Sequence, residues 1–211
     1  MKKIKLYVFL VMAMFLVISC GTVVPPGTTV IMLEPSGKTE IKHEGSYKAW
    51  GRTKVYFVDT KLKSYSKDLK ILCADDINMT VSVKWVGSFK VSDATIDTIK
   101  RKVPAKKVER GDIKGFELSL DAFFKTTMAD ILSSTTRDIV SPYKTDNIRE
   151  KRGEIRDAIK QRFLARMKAL KYPIDTADVL LTNLDYPEEI TKKRGAIKQA
   201  ELQDLENAAL A

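Results

Sequence analysis

The chain has a single histidine and two cysteines among its 211 residues. That scarcity excludes an ordinary zinc site, whose ligands come chiefly from those two residue types. His43 stands in a Gly-rich, strand-poor stretch and reads as an exposed loop residue. The acidic run Asp75-Asp76-Ile77-Asn78 lacks the glycine and the closing glutamate of a calcium loop, so it reads as strand-entry acids. There is no Gly-x-Ser-x-Gly elbow, no phosphate loop and no dinucleotide fingerprint. No pair of carboxylates is singled out by position. The residues point to a protein that is not an enzyme, with no catalytic, cofactor-binding or metal-binding residue to name.

What the chain has is charge, apolar periodicity and a distinctive N-terminus. Charged residues make up 30% and hydrophobic residues 44%, which suits a globular domain rather than a disordered one. The net charge is +10, and it falls to +7 if the first nineteen residues leave with Lys2, Lys3 and Lys5. A basic balance of that size favours anionic membrane surfaces. Lys2, Lys3 and Lys5 form a positive start, Leu6 to Ile18 is an unbroken apolar run, and Ser19 and Cys20 follow. That is the layout of a secretory signal. Val17-Ile18-Ser19-Cys20 resembles a bacterial lipobox, in which the cysteine is acylated and becomes the mature N-terminus. The rival reading is an uncleaved anchor, because Leu6 to Val24 carries no charge and would extend about 28 Å as a helix. Either reading places the rest of the chain outside the cytoplasm, on a membrane. Several acyl chains on Cys20 would hold it there stably. Gly21, rather than Asp, after the cysteine leans toward the outer membrane. The expected layout is a signal peptide over 1–19, a tether over 20–26, a folded domain over 27–186 and a short C-terminal helix over 187–211.

Strands are expected at Thr28–Leu33, Lys54–Asp59 and Leu69–Cys73. The clearest is Ile77–Val86, where Ile77, Met79, Val81, Val83 and Trp85 alternate with polar residues, as in a sheet with one buried face. Cys73 reads as a small buried hydrophobe, with disulfide dimerisation as the alternative. Asp93–Lys100 reads as a short helix. A basic run follows, with Lys100, Arg101, Lys102, Lys106, Lys107 and Arg110 against one acid, Glu109. Its bland reading is a solvated loop. Its functional reading is contact with anionic headgroups or with an acidic face of another subunit. No aromatic interleaves these cations, which disfavours nucleic acid.

Ser119–Val140 reads as a long helix stopped by Pro142, with Leu120, Phe124, Met128, Ile131, Leu132, Thr135 and Ile139 inward. A second long helix starts near Thr145, with Asn147 and Glu150 at capping-box spacing. Ile148, Ile155, Ile159, Phe163, Met167 and Leu170 form its apolar stripe. A strand over Val179–Leu184 and a helix opened by Pro187 complete the chain. In that last helix Ile190, Ile197, Leu202 and Leu205 recur at steps of seven, five and three. Weak coiled-coil character and a plain surface helix are the two readings. Strands, then two helices, then a strand indicate an α+β fold, a mostly antiparallel sheet with two long helices on one face and a C-terminal helix.

The run "REKRGEIRDAIKQRFLARMKALKYPIDTADVLLTNLDYPEEITKKRGAIKQAELQDLE" resembles the SPFH or band 7 family of stomatins, prohibitins, flotillins and bacterial regulators of membrane proteases. The family shows a charged amphipathic helix, a short turn, a strand ending near Asn, and a Pro-led helix rich in Ala, Gln and Glu. "DLKILCADDINMTVSVKWVGSFKVSD" is similar to its central strand, and the stretch from Pro25 to Lys61 to its N-terminal strands. The resemblance therefore covers Pro25 to Ala211. It implies a non-catalytic, homo-oligomeric scaffold or modulator of membrane proteins, with a membrane protease as one such partner. Many members continue into a long coiled coil that closes rings; the short tail here implies smaller homo-oligomers. The alternative is a monomeric envelope lipoprotein, bacterial or phage-encoded, that binds or masks one surface protein or ligand.

Overall fold

The computed structural model describes residues 22–210, apart from Glu44, Lys48, Trp50, Gly51 and Asp112. The chain divides into two compact units, and in each the sequence pattern accounts for the local structure. Among the described residues, one unit comprises 22–61 and Phe89–Leu120; the other comprises Leu62–Ser88 and 121–210.

In the first unit, β1 (Thr22–Val24) pairs antiparallel with β4 (Gly45–Tyr47). Thus Thr22–Val24, within the stretch expected as a tether, is a strand. A turn in which the Thr28 N–H donates to the Pro25 carbonyl leads into β2 (Thr28–Leu33). A five-stranded sheet follows in the order β3-β2-β5-β9-β8, with β3 at Thr39–Lys42, β5 at Lys54–Asp59, β8 at Ala105–Arg110 and β9 at Ile113–Leu118. Its pairings are antiparallel except β5 with β9. β2 and β5 have the bounds that the sequence pattern indicates. One sheet face carries Val30, Met32, Val55 and Phe57, which bury with Val24 and Tyr47 in one core cluster. Gly115 is required in β9, because a Cβ there would lie 2.7 Å from the Val55 carbonyl oxygen. Helix α1 (Asp93–Lys102) buries Ile96 and Ile99 and stops where Val103 turns extended ahead of Pro104.

In the second unit, β6 (Lys63–Leu72) and β7 (Asn78–Phe89) pair antiparallel from Lys63 opposite Gly87 to Leu72 opposite Asn78. Burial along β7 alternates with period two, and Met79, Val81, Val83 and Trp85 are all buried. β10 (Ile174–Asp185) flanks β7 on its other side. Both β6 and β10 are longer than the apolar runs that mark them, because much of each is an edge of alternating polar residues. Gly87 lets the Trp85 ring and the Asp175 carbonyl crowd against its backbone, where a Cβ would meet them at 2.3 and 2.4 Å.

Helices cover one face of this sheet. α2 (Leu120–Phe123) passes through a π-helical turn, Phe124–Met128, into α3 (Ala129–Val140). The wide turn sets Phe124 in a stack with Tyr65 (4.3 Å between ring centroids) and Trp85 (6.0 Å). α3 packs on β6 and on α5 (Arg152–Ala169), and α5 packs on β10. Ile148, Ile155, Ile159 and Phe163 are fully buried and Met167 nearly so. Burying each stabilises by roughly 1.5–3 kcal/mol.

Three expectations for these helices are corrected. The second long helix is two helices, α4 (Thr145–Glu150) and α5, because Lys151 leaves helical geometry at ψ 20°. Asn147 is not a cap: it lies inside α4, whose first residue is held instead by Asp75, seventy residues earlier. Leu170 is 41% exposed, because α5 ends at Ala169 and the chain turns away at Lys171, whose φ is +53°. The last helix, α6 (Glu188–Leu210), follows Pro187. Together these elements form the expected α+β fold, mostly antiparallel, with helices packed on one face.

Candidate membrane-contact and self-association surfaces

The basic run from Lys100 to Arg110 is not a loop: it is divided between a helix end and a strand. Lys100, Arg101 and Lys102 form the last turn of α1, where cations complement the helix dipole. Lys106, Lys107 and Arg110 lie on edge strand β8, which pairs with β9 and leaves Val108 and Arg110 half-buried. Three residues, Val103, Pro104 and Ala105, separate the two groups, and Arg110 stands at the far end of β8 from Lys106.

Several of these cations have local partners. Lys100 Nζ sits 2.9 Å from the Asp97 carboxylate, and this contact holds the Asp97 carboxyl below its usual range. Arg110 lies 3.0 Å from Glu117, and its guanidinium rests 4.6 Å from the centroid of the Phe57 ring. The Tyr47 ring packs edge-on to Phe57 at 6.4 Å. Burial raises the Tyr47 hydroxyl above its ordinary value, and the Arg110 charge only partly offsets this. Arg101, Lys102, Lys106 and Lys107 are exposed. Lys107 and Lys114 line a shallow hollow with Val108, Glu109, Gly115 and Phe116.

On α6, Ile190 is half-buried, whereas Ile197 and Leu202 are 59% and 55% exposed. Leu205 lies on the same helix. At 100° per residue these four positions spread over an arc of about 140°, wider than a strict coiled-coil seam. Ile197 and Leu202 thus stand exposed on one side of the helix.

Cys20 and the apolar N-terminal run lie outside the described residues. Among the described residues no helix is long and apolar enough to cross a membrane. Nor does any group of three or more His, Cys, Asp and Glu side chains among them stand where it could hold a metal ion. His43 is exposed just after β3, with Nδ1 3.2 Å from Thr29 Oγ1. Cys73 is free and 3% exposed; burial, then the Asp75 charge, pushes its thiol above the ordinary value. A buried thiol poor in thiolate is suited to packing rather than exchange.

The order of strands, paired helices and Pro-led terminal helix has a counterpart in known sequences. The chain belongs to the SPFH domain / Band 7 family, whose sequence profile matches residues 22–211. A comparison with curated individual proteins returns no match.

Proposed function

We propose that this SPFH-domain chain is a membrane-anchored lipoprotein that acts as a non-catalytic, homo-oligomeric scaffold or modulator of membrane proteins, a membrane protease among them. Acyl chains on Cys20 hold it on the periplasmic side of the envelope, with the outer membrane favoured over the inner by Gly21. The observation that carries the self-association is the pair Ile197 and Leu202, both more than half exposed on a 23-residue helix. Isolated exposed leucines are ordinary, but a helix that repeats them gains stability by covering them with a like helix. Family membership supports a scaffold role.

Native mass tests the reading. The mature protein is extracted in detergent and its mass is measured by light scattering, with the detergent subtracted. A mass several times that of one chain is expected. A single-chain mass would overturn the scaffold and favour a monomeric lipoprotein that masks one surface protein.

A further inference from the structure

The five-stranded sheet has two ends, and only one of them lies where an N-terminal anchor leads. The Pro25–Thr28 turn reverses the chain between β1 and β2, so the path from Val24 back to Thr22 follows the direction in which β2 runs toward Leu33. Thr22 pairs with Tyr47, which packs on Phe57 beside Arg110, the last residue of β8. Cys20 is two residues from Thr22, so their Cα atoms are within about 7 Å whatever the conformation.

Among the described residues, the strand ends on that side carry Lys38, Arg52, Lys54 and Lys114 against Glu34 and Glu109. Leu33 pairs with Lys54, and the Pro35–Lys38 turn follows Leu33. The parallel register pairs Tyr56 with Phe116; continued two residues back along both strands, it brings Lys54 level with Lys114. Lys38, Arg52 and Lys54 are exposed, and the Lys114 side chain is 84% exposed, 3.3 Å from Glu109. Neighbouring like charges on paired strands repel unless a counter-charge faces them. Behind Lys54 and Lys114, on the same sheet face, Tyr56 and Phe116 stack at 5.3 Å and are only half-buried. Cations in front of amphipathic rings suit a headgroup layer, since the long stems reach phosphate while the rings stay at the apolar border. Lys100, Arg101 and Lys102 precede Ala105, which pairs with Leu118 at the opposite end of the sheet.

We propose that the sheet end carrying Lys38, Arg52, Lys54 and Lys114 rests on the anionic headgroups of the membrane that holds the chain, and that Arg101 and Lys102 point to the side away from it. The orientation rests on the Cys20 anchor proposed above. It assigns lipid contact to residues outside the Lys100–Arg110 run and removes it from that run's first three cations.

The test uses the full mature protein, reconstituted into vesicles rich in phosphatidylglycerol that contain a headgroup-attached quencher. A fluorophore is placed at Lys54→Cys or Lys114→Cys, and for comparison at Arg101→Cys or Lys102→Cys; buried Cys73 does not compete for label. Fluorescence is expected to be lost at positions 54 and 114 and retained at 101 and 102. The loss is expected to diminish in phosphatidylcholine vesicles. Equal quenching at both ends, stronger quenching at 101 and 102, or quenching at 54 indifferent to lipid charge would each overturn the proposal. The mass of the mature chain reports acylation of Cys20 independently. An unacylated chain would overturn the anchor reading, and the contrast between positions 54 and 102 would still decide which end meets lipid.

Discussion

Asp75 and Thr145 are seventy residues apart in sequence and joined twice in space. One carboxylate oxygen of Asp75 accepts the Thr145 backbone N–H at 3.0 Å and the Thr145 hydroxyl at 2.7 Å. The connection into β7 thereby supplies the cap that the start of α4 needs. Burial would raise the Asp75 carboxyl, but the Thr145 hydroxyl and N–H, with the backbone dipoles of Asp75 and Ile77, hold it below its usual range.

Replacing Asp75 with Ala is expected to cost about 1–2 kcal/mol, since a cap and a long-range tie go together. The pH dependence has a definite sign. The folded value lies below the ordinary 3.8, so the stabilisation is complete above 3.8 and fades as pH falls through the lower folded value. Thermal melts of the natural chain and of Asp75→Ala should converge in strong acid and separate near neutrality. A gap that persisted in acid would mean the carboxylate is not the source.

Ile159 is fully buried at the centre of the α5 stripe. Ile159→Asp would place an unpaired charge there, with an expected loss of at least about 3 kcal/mol, a large share of a domain's net stability. Limited proteolysis should show the second unit digested. A soluble, protease-resistant Ile159→Asp protein would remove α5 from the core.

Paired changes Ile197→Glu and Leu202→Glu are expected to reduce the native mass to that of one chain. They should leave the thermal midpoint of the folded units nearly unchanged, because both side chains are more than half exposed. A mass that stayed high would move the self-association surface off α6.

Cys20→Ala is expected to block signal processing and acylation, leaving a longer precursor without lipid label. Normal mature size with retained label would exclude the lipobox reading.

Much of the fold was legible where burial is one-sided. β2 and β5 are compact apolar runs and show their own bounds. β7 shows its buried face at every second residue. β9 was not legible, because its six residues hold a glycine whose value lies in what approaches it, the Val55 carbonyl, and not in any pattern of its own. β1, β3 and β4 are three or four residues each, too short for a period to show. The Asp75 cap escaped for another reason. Asn147 and Glu150 have the right local spacing, and spacing cannot reveal a competitor that arrives from seventy residues away. The cations between Lys100 and Arg110 read as one cluster because sequence does not show that the run is divided between the end of α1 and strand β8. The exposed positions of α6 were legible as a pattern; how far they stand in solvent was not.

The π-turn at Phe124–Met128 makes the helix through it two pieces with separate phases. A wide turn holds an extra residue, which rotates everything before it by roughly 100° relative to an unbroken α-helix. Phe123 and Phe124 are thereby aimed at Tyr172, Tyr65 and Trp85, while Leu132 and Thr136 keep the bearing that buries them. Losing one residue within Phe124–Met128 would regularise the hydrogen bonding and yet turn the aromatic end off its stack. The segment thus behaves as a fixed gear between two packing tasks, and chain length there is set by angle rather than by reach.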